Sequence, residues 1–161
     1  MVTPKLKITK SLNGLLLPPV VLAVCGVGMW IIHWLSGGGW QGNTFIFSLA
    51  TVLVVLSFAM MLSTSLAFHR ANTTVHPQKF QQVNVLIVNG IFRFSRNPIY
   101  LGQLLLLAAW ALVLGSWLVW LGWLLFFVYL DYVQVPREER FLTQRFSAEY
   151  PAYCQRVRRW L

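Results

Sequence analysis

Only four carboxylates occur in the 161 residues: Asp131, Glu138, Glu139 and Glu149. Side chains so scarce are informative. Asp131 falls inside an apolar run, where an ionised group is costly unless paired, so it is a functional candidate. The plainer reading is an acid near a helix end, facing water or Arg137. Glu138 and Glu139 follow Pro136 and sit between Arg137 and Arg140. Their plainer reading is a solvated helix start, where carboxylates suit the positive end of the dipole.

A second cluster is Gly90-Ile91-Phe92-Arg93-Phe94-Ser95-Arg96-Asn97-Pro98-Ile99-Tyr100-Leu101-Gly102. Pro98 suits the first turn of a helix, with Ser95 or Asn97 as its cap. A helix start binds anions through its free N–H groups, and Arg93 and Arg96 add positive charge. A carboxylate or phosphate is therefore welcome there. Tyr100 and Gly102 lie one turn inside, and Gly102 allows close approach to the helix. The plainer reading is a basic-aromatic collar at a membrane boundary.

The elements that must position these groups follow from composition. Apolar residues make up 57%, charged residues 11%, and mean hydropathy is +0.62. This excludes an ordinary soluble globule, a disordered chain and a disulfide scaffold. The length allows one domain and is too short for a separate soluble catalytic domain beside membrane helices. Net charge is +9, but no charged residue lies between Lys10 and Arg70 or between Arg96 and Asp131. That map describes a bundle with one basic face, not a nucleic-acid binder.

Four apolar runs are expected to be spans: 14–35, 44–68, 98–114 and 117–135. The first is too long for a cleaved leader. Uncharged turns join runs one and two and runs three and four. All 13 basic residues fall in the arm 1–13, the connection 69–96 and the tail. These share one side only for an even number of crossings, so four spans with both termini cytoplasmic are expected. Pro136 is expected to end the fourth run. The tail 137–161 reads as helical, divided at Pro151, with Tyr150, Tyr153, Val157 and Trp160 at helical spacing beside Arg156, Arg158 and Arg159. This predicts an interfacial amphipathic helix facing lipid headgroups.

Other polar residues carry less. His33 reads as interfacial, and Trp110, Trp117, Trp120 and Trp123 as belt and lipid-facing packing. His69 and His76 lack a third ligand, and Cys25 and Cys154 have no metal spacing, so no metal site is expected. His76 with Pro77 is a candidate pocket lining.

The motif Arg96-Asn97-Pro98-Ile99-Tyr100-Leu101-Gly102, followed after one hydrophobic hairpin by Glu138-Glu139, resembles the signature of integral-membrane methyltransferases. These are the isoprenylcysteine carboxyl methyltransferases and their phospholipid methyltransferase relatives. The resemblance covers roughly residues 70–160 and takes in Gly90-Ile91-Phe92 and Phe146-Ser147-Ala148-Glu149-Tyr150. Asn97 stands where the family often has His, and Phe92 where it often has Tyr.

The resemblance implies an all-α polytopic bundle forming a single domain over 1–161, with an N-terminal hairpin (1–68) and a cofactor-binding part (69–161). It implies S-adenosylmethionine as cofactor and a lipophilic methyl acceptor (carboxyl, thiol or amine) at the cytoplasmic face of a bacterial inner membrane. Glu138 would hold the cofactor ammonium, with Glu139 as neighbour. The helix start at Asn97, Pro98, Ile99 and Tyr100 would take its carboxylate. Val85, Leu86, Ile87, Phe92 and Gly102 would line it. Arg96, Arg137 or Arg156 would hold a substrate carboxylate. Rival readings are a phospholipid N-methyltransferase, a dinucleotide-dependent reductase on a related scaffold, and a non-enzymatic membrane protein.

Overall fold

The computed structural model describes residues 17–39, 43–71 and 85–161. The basic arm and most of the 69–96 connection, including His76 and Pro77, lie outside the described residues.

The described residues form helices joined by turns, with no strand among them. Helix α1 (Pro18–Leu35) starts on its two prolines, which lose nothing by lacking an N–H in a first turn. Helix α2 (Thr44–Arg70) is capped by Asn43, whose Oδ1 accepts the Ile46 N–H at 3.0 Å. Helix α3 (Pro98–Leu114) starts on Pro98 and stops at Gly115, whose φ of 71° is the left-handed conformation that glycine adopts without strain. A short 3₁₀ turn (Trp117–Val119) then leads into α4 (Trp120–Tyr129).

The next step departs from the sequence expectation. Pro136 does not end the fourth run. A π-helical turn (Leu130–Gln134) carries the chain into α5 (Val135–Arg145), so one helical rod extends over Trp117–Arg145. Proline lacks the N–H for an i→i−4 bond, and the wider π turn just before it absorbs that loss. Helix α6 (Glu149–Arg156) follows after a break at 146–148, so Pro151 lies in a first turn and divides nothing.

Three segments are long and apolar enough to cross a membrane: α1, α2 and Trp117–Arg145. The fourth expected span, α3, has 17 residues and a rise of about 26 Å, near the lower limit for crossing. The most extensive pairing is α2 with α3. It closes at Gly102, where a Cβ would lie 3.0 Å from both Ser57 O and Met61 Cγ. Met29, Leu104, Leu107, Phe126 and Leu130 fill the core between α1, α3 and α4. Val24, Phe45, Val55, Leu62 and Leu125 face outward, as lipid-facing side chains do.

One minor expectation is corrected. Trp117 and Trp120 are exposed, but Trp110 and Trp123 are half-buried and donate to Gly26 O (3.1 Å) and Leu104 O (2.9 Å). An indole N–H within apolar surroundings needs such an acceptor. His33 is buried within the protein, next to the turn after α1.

Candidate functional site

The site is assembled where three pieces meet: the turn before α3, the junction of the π turn with α5, and the C-terminal end. Gly90 opens a 3₁₀ turn (Gly90–Arg93) at φ 64°. The turn points Phe92 inward, edge-on to Phe68 at 5.8 Å, and presents the Phe92 carbonyl to the Tyr153 hydroxyl at 2.6 Å. Burial pushes the Tyr153 phenol up to about 12, so it stays protonated and donates.

The C-terminal residues do not continue the amphipathic helix expected from their spacing. Helix α6 ends at Arg156, and Val157 is extended (φ −126°, ψ 132°). The strap 157–161 lies across the mouth of α3. Arg96 N–H donates to Arg158 O (3.1 Å), while Ser95 Oγ and Asn97 Nδ2 donate to Arg159 O (3.3 and 3.1 Å). These bonds satisfy backbone carbonyls that helical continuation would otherwise have used. Ser95 Oγ also accepts the Asn97 N–H at 3.1 Å, and the Asn97 carbonyl accepts from Tyr100 and Leu101.

The strap brings Arg159 inward instead of toward headgroups. Its guanidinium contacts both Glu139 oxygens (3.2 and 2.7 Å) and Asp131 Oδ1 (2.9 Å). Trp160 Nε1 also donates to Asp131 Oδ1 at 3.1 Å, and its indole packs on Phe127 at 5.5 Å. The partner of Asp131 is therefore Arg159 rather than Arg137. Arg96 meets Glu139 from the other side at 3.0 Å and donates to Tyr150 Oη (3.3 Å) and Cys154 Sγ. An alternating chain Arg96–Glu139–Arg159–Asp131 results.

Glu138 belongs to a different environment. It accepts hydrogen bonds from the Tyr100 hydroxyl and from Gln134 Nε2 (2.6 Å). Gln134, buried one helical turn earlier, also reaches Tyr100 Oη (3.3 Å) and accepts from Tyr129 at 3.2 Å. Among the described residues no cation forms an ion pair with Glu138. The carboxylate is oriented by neutral donors, an arrangement that can receive a cation.

The structure thus brings Arg96, Asn97, Tyr100, Glu138 and Glu139 together at the start of α3. Pro98 is fully buried there, and Ile99 packs against the core. Arg137 is exposed, adjacent in sequence to Glu138. Leu86, Ile87 and Phe92 belong to a second apolar cluster with Tyr150 and Tyr153, while Val85 is exposed. Gly102 faces α2 and is a packing position.

Sequence reasoning missed Gln134, Tyr129, Tyr150, Cys154 and Arg159 as members of the network. A signal existed for Gln134, which stands four residues before Glu138 and so on the same helical face. For Arg159 no local pattern existed.

One atom bears on ligand chemistry. Arg96 Nε is buried without a hydrogen-bond partner, so the guanidinium keeps one donor for an incoming acceptor. The residues present can accommodate a zwitterionic amino-acid group: a carboxylate without an ion-paired cation among the described residues for its ammonium, and a spare donor for its carboxylate.

A family model described as phospholipid methyltransferase matches residues 45–149. An uncharacterized protein of Haemophilus influenzae is 48% identical over 62 residues, which is 38% of this chain and 98% of that one. The protein-S-isoprenylcysteine O-methyltransferase of Saccharomyces cerevisiae is 30% identical over 129 residues, covering 70% of this chain. The match spans about half (51%) of the yeast protein. No solved structure matches the chain significantly.

Proposed function

The chain belongs to the phospholipid methyltransferase family of integral membrane proteins, and from that premise we propose that it transfers a methyl group from S-adenosylmethionine to a lipophilic acceptor at the cytoplasmic membrane face. The observation that carries this reading is the asymmetry of the acidic pair. Glu139 is neutralised by Arg96 and Arg159, whereas Glu138, held by Tyr100 and Gln134, has no cationic partner among the described residues.

S-adenosylmethionine supplies an electrophilic methyl group on a sulfonium, together with an ammonium and a carboxylate. Glu138 would hold the ammonium and Arg96 Nε would face the carboxylate, with Asn97, Pro98, Ile99 and Tyr100 lining that end of the site. Val85, Leu86 and Ile87 would supply backbone along the adenosine side, with Phe92 beneath them. Glu139 acts as a positioning residue, because its ion pairs fix Arg96 beside the helix start.

Methyl transfer is an in-line displacement, so the protein's contribution is alignment and exclusion of water more than proton transfer. An acceptor oxygen, sulfur or nitrogen attacks the methyl carbon, the C–S bond breaks, and its electron pair leaves on sulfur. When the acceptor is anionic, charge is neutralised along the path, and a site bounded by lipid favours that. Arg137, exposed next to Glu138, would orient an acceptor carboxylate. Arg96, whose terminal nitrogen is committed to Glu139, Tyr150 and Cys154, would serve the cofactor through Nε rather than the acceptor.

In this reading both termini lie on the cytoplasmic side of a bacterial inner membrane and α3 is the fourth span, a topology that the distribution of basic residues supports. A phospholipid amine is the second acceptor class, favoured by the description of the matching family. Calorimetry with S-adenosylhomocysteine and detergent-purified protein tests the reading. Binding is expected, and Glu138→Gln should weaken it by at least about tenfold, the value of one charged hydrogen bond. Equal affinity in the variant would remove Glu138 from the site. NADPH binding in place of S-adenosylhomocysteine would favour a reductase. Methyl-labelled cofactor fed to membranes, with the products separated, would identify the acceptor.

A further inference from the structure

A polar cleft of about 540 Å³ lies beside Val88, Asn89, Arg93, Tyr153, Arg156 and Val157. Tyr153, whose ring packs beside Tyr150, forms one wall of it. Arg93 ends the 3₁₀ turn and Arg156 ends α6, so two guanidinium groups from distant parts of the chain share one concavity.

The charge balance makes this pair unusual. All four carboxylates of the chain are among the described residues. Asp131 and Glu139 are engaged by Arg159 and Arg96, and Glu138 is bonded to Tyr100 and Gln134. Glu149 stands at the opposite end of α6 from Arg156, about two turns away. No carboxylate of this chain forms an ion pair with either Arg93 or Arg156. Among the described residues, the one side-chain hydrogen bond of either arginine is the long contact of Arg156 Nε to Ala152 O (3.4 Å). Two guanidiniums whose forks are unclaimed among the described residues are matched by an oxyanion that accepts several N–H bonds at once, and phosphate is the best fit.

The position of the cleft selects the source of that anion. Helix α3 enters the apolar layer at Pro98, only a few residues past Arg93. Phe94, between them, is 74% exposed, an aromatic ring in the place where a bilayer interface would receive it. Val88 and Val157 give the cleft apolar edges.

We propose that the Arg93–Arg156 cleft, whose lining includes none of the residues assigned to the cofactor, binds the phosphate of an anionic lipid headgroup. The site fixes the 3₁₀ turn and the end of α6 to the membrane surface.

The test uses the full chain in a neutral detergent, with phosphatidylglycerol added to the micelles and retained lipid measured by native mass spectrometry. Wild type should retain lipid. The double variant Arg93→Gln/Arg156→Gln should weaken retention by at least about tenfold. Both residues are exposed, so helicity and monodispersity should be unchanged. Arg140→Gln/Arg158→Gln removes the same charge elsewhere and should leave retention near wild type. Equal weakening by the two double variants would overturn the proposal in favour of diffuse charge. Inorganic phosphate displacing the lipid at comparable concentration would overturn the lipid source. Loss of S-adenosylhomocysteine binding in the Arg93/Arg156 variant, with lipid retention unchanged, would assign the cleft to the cofactor instead. None of these readouts needs methyl transfer, so this inference and the proposed reaction can fail separately.

Discussion

Glu139 and Arg159 meet in a two-pronged ion pair, Nε to Oε1 at 3.2 Å and the terminal nitrogen to Oε2 at 2.7 Å, across a separation of 20 residues. The contact fastens the strap 157–161 over the start of α3. Arg159→Gln should release it, because Asp131 and Glu139 lose their shared cation while remaining half-buried. Stability should fall by about 1–3 kcal/mol. Arg159→Lys should recover only part, since an ammonium cannot span both carboxylate oxygens and Asp131 with the same geometry. Thermal melts in detergent check the stability. Carboxypeptidase digestion, faster in Arg159→Gln, checks release of the strap.

The two adjacent glutamates should separate in their effects. Glu139→Gln leaves Arg96 and Arg159 without their common anion, and should lower the melting temperature. Glu138→Gln keeps an acceptor for Tyr100, so it should melt close to wild type while losing cofactor affinity. Melting and calorimetry on both variants check this. The same phenotype in both would mean that the pair acts as one unit.

Gly102 should tolerate only the smallest addition. A methyl group would gain about 1 kcal/mol of helix propensity over glycine but meet Ser57 O and Met61 Cγ at 3.0 Å, so Gly102→Ala should be near neutral. Gly102→Leu must push α2 and α3 apart and should cost about 1–3 kcal/mol or more. Expression yield of monodisperse protein and thermal melts measure the difference.

How much of this could be read from the sequence depended on whether the cause was local. The limits of α3 were legible because Pro98 and Gly115 act through their own backbones. The grouping of Arg96, Tyr100, Glu138 and Glu139 was legible through a motif whose spacing spans one hairpin. The passage through Pro136 was not, because proline within a helical pattern ordinarily stops it and the compensating π turn has no composition signature. The strap was misread for a related reason. Tyr150, Tyr153, Val157 and Trp160 keep helical spacing, but distant donors at Arg96, Ser95 and Asn97 claim the carbonyls of Arg158 and Arg159. Periodicity reports a face, and cannot report competition for backbone groups from 60 residues away.

Tyr153 should make stability sensitive to alkali. Its phenol is held protonated by burial, with a folded value of about 12 against an ordinary value of about 10. A group raised in this way contributes fully below pH 10, and the contribution is lost as pH rises toward 12. Tyr153→Phe removes the hydrogen bond to Phe92 O and should be less stable at neutral pH by about 1 kcal/mol. It should also show a shallower loss of melting temperature between pH 10 and 12. Parallel slopes for variant and wild type would show that other groups govern the alkaline limb.

Gln103 offers the sharpest separation of fold from function. It lies on α3 one turn beyond Tyr100, is 4% exposed, and its Oε1 is buried without a hydrogen-bond partner. A buried unsatisfied carbonyl costs about 1–3 kcal/mol, so the fold gains nothing by keeping that oxygen. Gln103→Met preserves length and flexibility while removing the polar atoms. It should raise the melting temperature whether or not a ligand uses the oxygen, and if a ligand does, methyl transfer should fall by about tenfold or more. Measuring both on one preparation distinguishes the cases. A variant that is more stable and equally active would make Gln103 a tolerated packing flaw, whereas stability exchanged for turnover would place its amide oxygen against the reacting molecules.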